Sequence, residues 1–486
     1  MSNSAIKYIY DDGSHNHDHA QTRFAVIPTL EKLNANPNFK GRGITIAFLD
    51  SGFYPHPDFA ERIVKFHDIS GEEKSLKSIN PKSYHWHGTQ TVTACAGNGS
   101  LSDGIYRSLA SEANLVLVKV SKGGQIADES IEKGLKWVLR NREKFNIRIV
   151  NMSLGGDTDL TTNESKINQF AEELIKLGVC LTVAAGNTYE SNSIPPASAP
   201  SVITVGGYSD ENNLDADSHE LYHSSFGKTA DGLIKPEIIA PAMFVAAPIL
   251  PKTKEYRVAE ILSQIANSPD YLFRQTFLDN WQKAELPDYF LSTDVSTARV
   301  LVERELKQRK IIATHYQHVD GTSFAAPITA SVIAQMLEAN PNLTPAIVKN
   351  ILISTASRLA NFPAIRQGFG VLNASRAVET ALRETHIFNH TEFTPPRIEG
   401  EKIIFCYHDD SAKSVYLAGD FNDWKANEIA FSASEDGLWR AEIPTLSSGK
   451  YRYKFVIDGA IWKEDASNGM KDDDGLGGFN SILLIS

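Results

Sequence analysis

Gly321-Thr322-Ser323-Phe324-Ala325-Ala326-Pro327 runs directly into an apolar stretch, residues 328–337, with the length and composition of a buried helix. A turn of small residues feeding such a helix presents one serine hydroxyl at the helix N-terminus. There, free backbone N–H groups and the positive end of the helix dipole favour developing negative charge. Ser323 is therefore a candidate nucleophile, provided that a base and an orienting acid stand elsewhere. Both stand upstream. Residues 43–49 (GITIAFL) read as a buried strand of a parallel sheet that ends in Asp50-Ser51-Gly52, and functional groups collect at such strand ends. His87-Gly88-Thr89 then opens a second small-residue stretch, 91–96, expected as a helix with the imidazole at its N-terminal end. The chain order is Asp, His, Ser.

That order is the one of the subtilisin triad, in contrast to the chymotrypsin and α/β-hydrolase orders. DSG at Asp50, HGT at His87 and GTSFAAP around Ser323 resemble the three signature blocks of the subtilisin-like serine proteases. Residues 151–156 (NMSLGG) resemble the substrate-lining segment of that family, and residues 182–187 (TVAAGN) its oxyanion-hole block. Five blocks in one order across residues 28–380 are specific where any one alone is weak. Four positions depart from the usual pattern: Gln90, Asp320, Ile328 and Ala242 stand where the family usually shows His, Ser, His and Gly. None belongs to the triad or the oxyanion hole.

The chemistry requires these residue types. A neutral hydroxyl is a poor nucleophile, so a base must take its proton during attack and return it to the leaving amine. The resemblance assigns that role to His87, with Asp50 holding the imidazole and Ser323 attacking. It gives the developing oxyanion to the Asn187 side chain and the Ser323 N–H. Gly123 and Gly124, which follow one strand, and Ser153, Leu154 and Gly155, which follow another, offer backbone to a peptide by strand addition. Ala184, Ala185 and Gly186 complete the expected cleft. No cofactor is needed for this chemistry and no metal site is assigned; structural calcium is left open.

Around the core blocks, strand-like runs at 44–49, 115–120, 147–152 and 180–184 alternate with helical stretches at 128–143 and 166–176, the pattern of an α/β fold with a mostly parallel sheet flanked by helices. Residues 235–241 (KPEIIAP) resemble a family block that normally lies much closer to the serine, so the helical text between them, about residues 250–315, is an insertion. It reads equally as a lid, a docking element or a solvated decoration. The family-like domain thus covers residues 28–390. Residues 1–27 form an N-terminal extension with no long prodomain. Within it, Phe24-Ala25-Val26-Ile27-Pro28 resembles the inhibitory segment of intracellular subtilisins, and reads equally as the first docking segment of the body.

After residue 390 the text changes to short alternating strands at 402–407, 414–419, 439–444 and 451–458, expected as a small Ig-like β-sandwich over residues 395–486. VYLAGDFNDW (415–424) and YKFVIDG (453–459) resemble the glycogen-binding module of the AMP-activated protein kinase β-subunit. That resemblance implies stacking of Trp424 and Trp462 on glucose rings, with Lys454 and Asn480 on hydroxyls. Relatives of the module also serve only in protein docking, so α-glucan and protein both stay open as its partner. Asp472-Asp473-Asp474-Gly475 lacks a complete cation-loop pattern and reads as a polar turn.

The 486 residues are 42% hydrophobic and 22% charged, an ordinary globular composition, and the net charge of −11 speaks against nucleic acid or a membrane surface as partner. No secretory signal precedes the core, and three cysteines cannot build a disulfide framework, so the expected compartment is the cytoplasm. A histidine-bearing stretch at His15, His17 and His19 reads as a tail rather than a metal site. The function expected is a serine endopeptidase targeted by its C-terminal module to α-glucan or a protein. The alternative is a silent scaffold that binds peptide and glucan without hydrolysis.

Overall fold

The computed structural model describes residues 25–77, 79–189, 193–384, 395–409, 411–434 and 437–485. Among the described residues, the central sheet has seven parallel strands, in the order Ile238–Pro241, Ile203–Ser209, Cys180–Ala184, Ile147–Met152, Thr45–Asp50, Asn114–Lys119, Ile63–Asp68, and an eighth, short antiparallel strand, Glu220–Leu221, beside Ile203–Ser209. Thr45–Asp50 lies inside the sheet and is buried at every residue, which is why its sequence is apolar without alternation. Successive side chains still point to opposite faces. Ile46 and Phe48 enter one core with Val92 and Val332, whereas Ala47 and Leu49 enter the other with Ile131, Leu135 and Leu174. Helices therefore cover both faces, with His85–Ala96 and Thr322–Ala339 on one side and Asp128–Asn141 and Lys166–Lys176 on the other.

Because the strands are parallel, their C-terminal ends share one edge of the sheet. Asp50 ends its strand there, and Ser153 and Ala185 each follow theirs. The topology thus gathers at one rim residues that are more than a hundred positions apart.

The insertion leaves after Val245–Pro248 and returns at Ile311–Ala313, and both border the strand Tyr316–Val319. Its helices Lys254–Asn267, Asp270–Asn280 and Val295–Gln308 surround a core of their own that includes Phe273, Phe277 and Phe290, all at most 1% exposed. Burying one such ring contributes about 1.5–3 kcal/mol, so this is a folded subdomain and not a loop dressed with surface helices. It is also fastened to the body. Gln90, on the His87 helix, donates from Nε2 to the Pro248 carbonyl at 2.9 Å, and the Tyr316 hydroxyl contacts both carboxylate oxygens of Asp58 at 2.9 and 2.8 Å. Lys310 pairs with Asp320, three residues ahead of Ser323.

Residues 25–28 dock on the body. Val26 is fully buried beside Ile312 and Tyr316, Ile27 N–H donates to Asn212 Oδ1 at 2.9 Å, and Pro28 precedes the short helix Thr29–Lys32. Of the two readings of this segment, its buried part fits docking. Residues 1–24, including Phe24 and the three histidines, lie outside the described residues.

The C-terminal unit is two facing antiparallel sheets. One contains Lys402–His408 and Leu438–Pro444, the other Val415–Gly419, Gly449–Ile457 and Phe479–Ile485, and Phe405, Leu417, Trp439 and Phe455 fill the space between. Trp439 carries its indole N–H to the Asp409 carbonyl at 3.0 Å, which meets the cost of burying it. The sandwich packs against the large unit through an Arg358–Glu464 ion pair at 2.5 Å, a backbone bond from Ile234 N–H to Gly469 O at 3.0 Å, and Phe479 set among Ile234 and Ala364. Among the described residues, no helix is long and apolar enough to cross a membrane.

Candidate active site

Asp50 is 1% exposed, and its carboxylate has partners on every side. It accepts the Ser51 N–H at 2.7 Å and the Thr91 hydroxyl at 3.1 Å, and lies 2.8 Å from His87 Nδ1. A carboxylate only accepts, so the His87 proton is on Nδ1 and Nε2 carries the free lone pair. Burial lowers the proton affinity of His87, but the charge of Asp50 and the hydrogen bond to it outweigh that effect and raise it above the usual imidazole value. Gly88 follows because there is no room for more: a Cβ there would meet the Gly52 carbonyl at 2.3 Å.

Ser323 stands in the first turn of Thr322–Ala339, behind Gly321, whose φ of 138° suits a residue without a side chain. The ring of the next residue, Phe324, lies 6.2 Å from the His87 ring. No hydrogen bond joins the Ser323 hydroxyl to His87; such bonds commonly tighten only around substrate.

Pro327 explains how that turn is held. A proline four residues on lacks the N–H that would bond the Ser323 carbonyl, and Ser153 fills the vacancy by donating from Oγ at 2.7 Å. Ser153 in turn accepts from Asn151 Nδ2 at 3.1 Å, and Asn151 Oδ1 accepts the Thr182 hydroxyl at 3.1 Å. A polar chain under the sheet rim therefore fixes the serine turn from behind.

Asn187 follows Gly186, which has a φ of 104°. Its Oδ1 accepts both the N–H and the hydroxyl of Thr322, each at 3.0 Å. With the oxygen so occupied, the two Nδ2 hydrogens point away from Thr322, and Nδ2 lies 3.6 Å from where a Cβ on Gly321 would be. Beside it, the Ser323 N–H belongs to the first helical turn and has no acceptor among the described residues. Two donors thus converge on the serine turn.

The expected cleft residues divide. Leu154 and Gly155 are open, irregular backbone beyond their strand, and Ala185 is tied by its N–H to Val205 O at 3.0 Å. Gly123 and Gly124, at φ 57° and 88°, are the turn of a tight hairpin whose arms are Ser121–Lys122 and Gln125–Ile126, where extended backbone was expected. Two left-handed residues in succession make that turn. The Gly123 N–H is held by Glu72 at about 3.1 Å.

Thr91, Ser153 in its holding role, Thr322 and Trp86 were not singled out by sequence. Trp86 is 45% exposed and sets its ring edge-on to His87 at 5.2 Å. The usable signal for Thr91 was its place one helical turn from His87. For Ser153 it was the proline four residues after Ser323.

In the C-terminal unit, strand register puts the expected glucan residues on one face. Tyr453 pairs with Ser481, so Lys454 lies beside Asn480 one step along, and Trp462 pairs with Val456 on the same side. The Trp424 and Trp462 ring centres are 6.3 Å apart at 36°. Trp424 Nε1–H donates to Asp420 at 3.0 Å, leaving the ring face for contact, and Trp462 is 42% exposed. Lys454 is paired with Asp474 at 2.5 Å, so a carboxylate holds the ammonium on that face. Among the described residues, no group of three or more His, Cys, Asp or Glu side chains is disposed to hold a metal ion.

Comparison with known proteins gives two family matches: the subtilase family over residues 41–371, and the glycogen recognition site of AMP-activated protein kinase over residues 402–486. Serine protease AprX of Bacillus subtilis (strain 168) is 30% identical over 357 residues, which cover 72% of this chain and 69% of that protein. Alkaline elastase YaB of Bacillus sp. (strain YaB) is 25% identical over 380 residues, 77% of this chain and 74% of that one. The chain spans less than half the length of several other relatives that it matches. In fold, it is similar to fervidolysin from Fervidobacterium pennivorans, a keratinolytic enzyme related to subtilisin, with a TM-score of 0.50, 18% identity, and coverage of 88% of this chain and 55% of that one.

Proposed function

Because the chain belongs to the subtilase family and is a subtilisin-like serine endopeptidase carrying a glycogen-recognition module, we propose that Asp50, His87, Ser323 and Asn187 carry out peptide hydrolysis. His87 Nε2 takes the Ser323 proton as Oγ bonds to the scissile carbonyl carbon, and Asp50 steadies the imidazolium that forms. Asn187 Nδ2 and the Ser323 N–H receive the oxyanion. His87 then protonates the amine as the C–N bond breaks, and water, activated by the same imidazole, releases the acyl group from Ser323. The observation that carries this reading is the pair of locks: Asp50 on Nδ1 of His87, and Thr322 on the oxygen of Asn187. Each leaves the reactive atom of its partner aimed and unspent.

A serine-directed phosphonate tests it. The adduct is expected on Ser323, and the rate of modification should fall on the acid side with a midpoint above the ordinary imidazole value of 6.5, because protonated His87 cannot serve as base and Asp50 raises its proton affinity. An adduct on another residue, or a rate that stays flat through that range, refutes the assignment. A silent scaffold has no reason to keep all four groups in this arrangement.

We propose further that the module binds α-1,4-glucan through Trp424 and Trp462, with Asn480 and Lys454 as polar neighbours. Two tilted rings on an exposed face offer apolar C–H contact to successive sugar rings, and each stacking ring is worth on the order of 1 kcal/mol beyond its area. Co-sedimentation of the full chain with glycogen is expected, and Trp424→Ala together with Trp462→Ala should abolish it without loss of peptide hydrolysis. Retention of the double variant on glycogen would reject this face, and failure of the native chain to sediment would turn the module into a protein-docking unit.

A further inference from the structure

Between the two units lies a cleft of about 530 Å³, separate from both sites described above: neither the triad residues, Asn187, Trp424 nor Trp462 lines it. Its walls come from both units and are largely apolar, with Leu233, Pro236 and Phe369 from one and Phe479 from the other. Into this setting the sandwich contributes Lys471.

Lys471 is only 5% exposed, yet its ammonium has no hydrogen-bond acceptor and no ion pair among the described residues. Its nearest companions are aromatic faces, Phe369 with a ring centre at 3.8 Å and Phe479 at 5.8 Å. The neighbouring acids are already engaged. Glu464 pairs with Arg358, Asp465 accepts the Tyr453 and Ser467 hydroxyls at 2.7 and 2.6 Å, and Glu237 is shared by Lys235 at 2.5 Å and Lys349 at 2.7 Å. Burial lowers the proton affinity of Lys471 to about 8, against the pull of Glu464 and Asp465. It therefore remains mostly charged at neutral pH. A cation set over two rings in a mostly apolar cleft, with none of its three N–H donors met by an acceptor among the described residues, has them left for an acceptor that arrives from outside.

We propose that this cleft is a binding site for a small monocarboxylate with an aliphatic body, whose carboxylate meets the Lys471 ammonium while its chain lies against the walls formed by the two units. One unspent cation matches one negative charge, and the two other lysines on the lining are already taken by Glu237, so a multiply charged phosphate has no second partner. The volume suits a small ligand, and a mostly apolar cavity with a single charged anchor is the ordinary form of such sites. Because the walls belong to different units, the occupant would bridge them.

Titration of the full chain with octanoate and with 1-octanol, followed by calorimetry, tests this. Octanoate is expected to bind saturably at one site, at least tenfold more tightly than the alcohol. Lys471→Met, which keeps the length of the side chain, should bring octanoate down to the affinity of the alcohol. Ala346→Trp, on the lining and remote from Lys471 in sequence, should exclude both probes. Unchanged melting temperature and peptide hydrolysis in each variant certify its fold. Absence of saturable octanoate binding, binding that is the same in Lys471→Met, or binding that persists in Ala346→Trp would each overturn the proposal.

Discussion

Replacing Ser323 by Ala is expected to lower kcat by about 10⁶, the size known for loss of the nucleophile in subtilisin itself, and to leave the fold untouched. The second half follows from the structure. The Ser323 hydroxyl makes no hydrogen bond among the described residues, so its removal orphans none of them, whereas the groups that shape the turn act through backbone: Ser153 on the Ser323 carbonyl and Asn187 on the Thr322 N–H. A residual rate above water should remain, because the oxyanion donors and the cleft are still present. Measurement is by peptide hydrolysis with purified variant and by its melting temperature. Wild-type turnover in a folded Ser323→Ala would remove Ser323 from the chemistry altogether.

Asn187→Ala should lower kcat by about 10²–10³ and leave KM nearly unchanged, since its donors meet full charge only in the transition state. Here a structural explanation must be separated from an electrostatic one, because the same substitution also strips Thr322 of its acceptor. Asn187→Asp separates them. It keeps an oxygen for the Thr322 N–H and hydroxyl but replaces the Nδ2 donors with a second oxygen that repels the oxyanion. If donation is the role, Asp is at least as damaging as Ala; if holding Thr322 is the role, Asp restores turnover. An effect confined to KM would refute transition-state donation.

The sequence showed what is carried by local runs. The apolar strand ending in Asp50, the small-residue turn before the Ser323 helix and the alternating strands after residue 390 each announce themselves within ten residues, because burial on both faces, helix capping and half-burial each leave a characteristic spacing. What escaped was contact between distant residues. Thr322 and Asn187 are 135 positions apart, Ser153 and Ser323 are 170 apart, and Arg358 meets Glu464 across the two units. No periodicity encodes such pairs. Lys454 was legible as a polar residue on the glucan face, but its engagement with Asp474 arises from a turn that places the acid opposite it, which only the folded strands reveal. The hairpin at Gly123-Gly124 was within reach, since two adjacent glycines between short polar arms favour a left-handed turn over extended backbone. The insertion was visible as an interruption, while its attachment through Gln90 and Tyr316 to the catalytic body was not.

Cys95, Cys180 and Cys406 are all free and buried. Burial pushes the Cys95 thiol far up and that of Cys180 up to about 12, so neither exists as a reactive thiolate near neutral pH. Their addresses differ: one lies in the helix that carries His87, one in the strand that leads to Asn187, one in the sandwich. While the protein is closed, an electrophile finds no sulfur to compete with the serine. Once it opens, each sulfur becomes a clock for its own region, so the order in which a thiol reagent reaches the three records whether the two units come apart before, with or after the catalytic sheet.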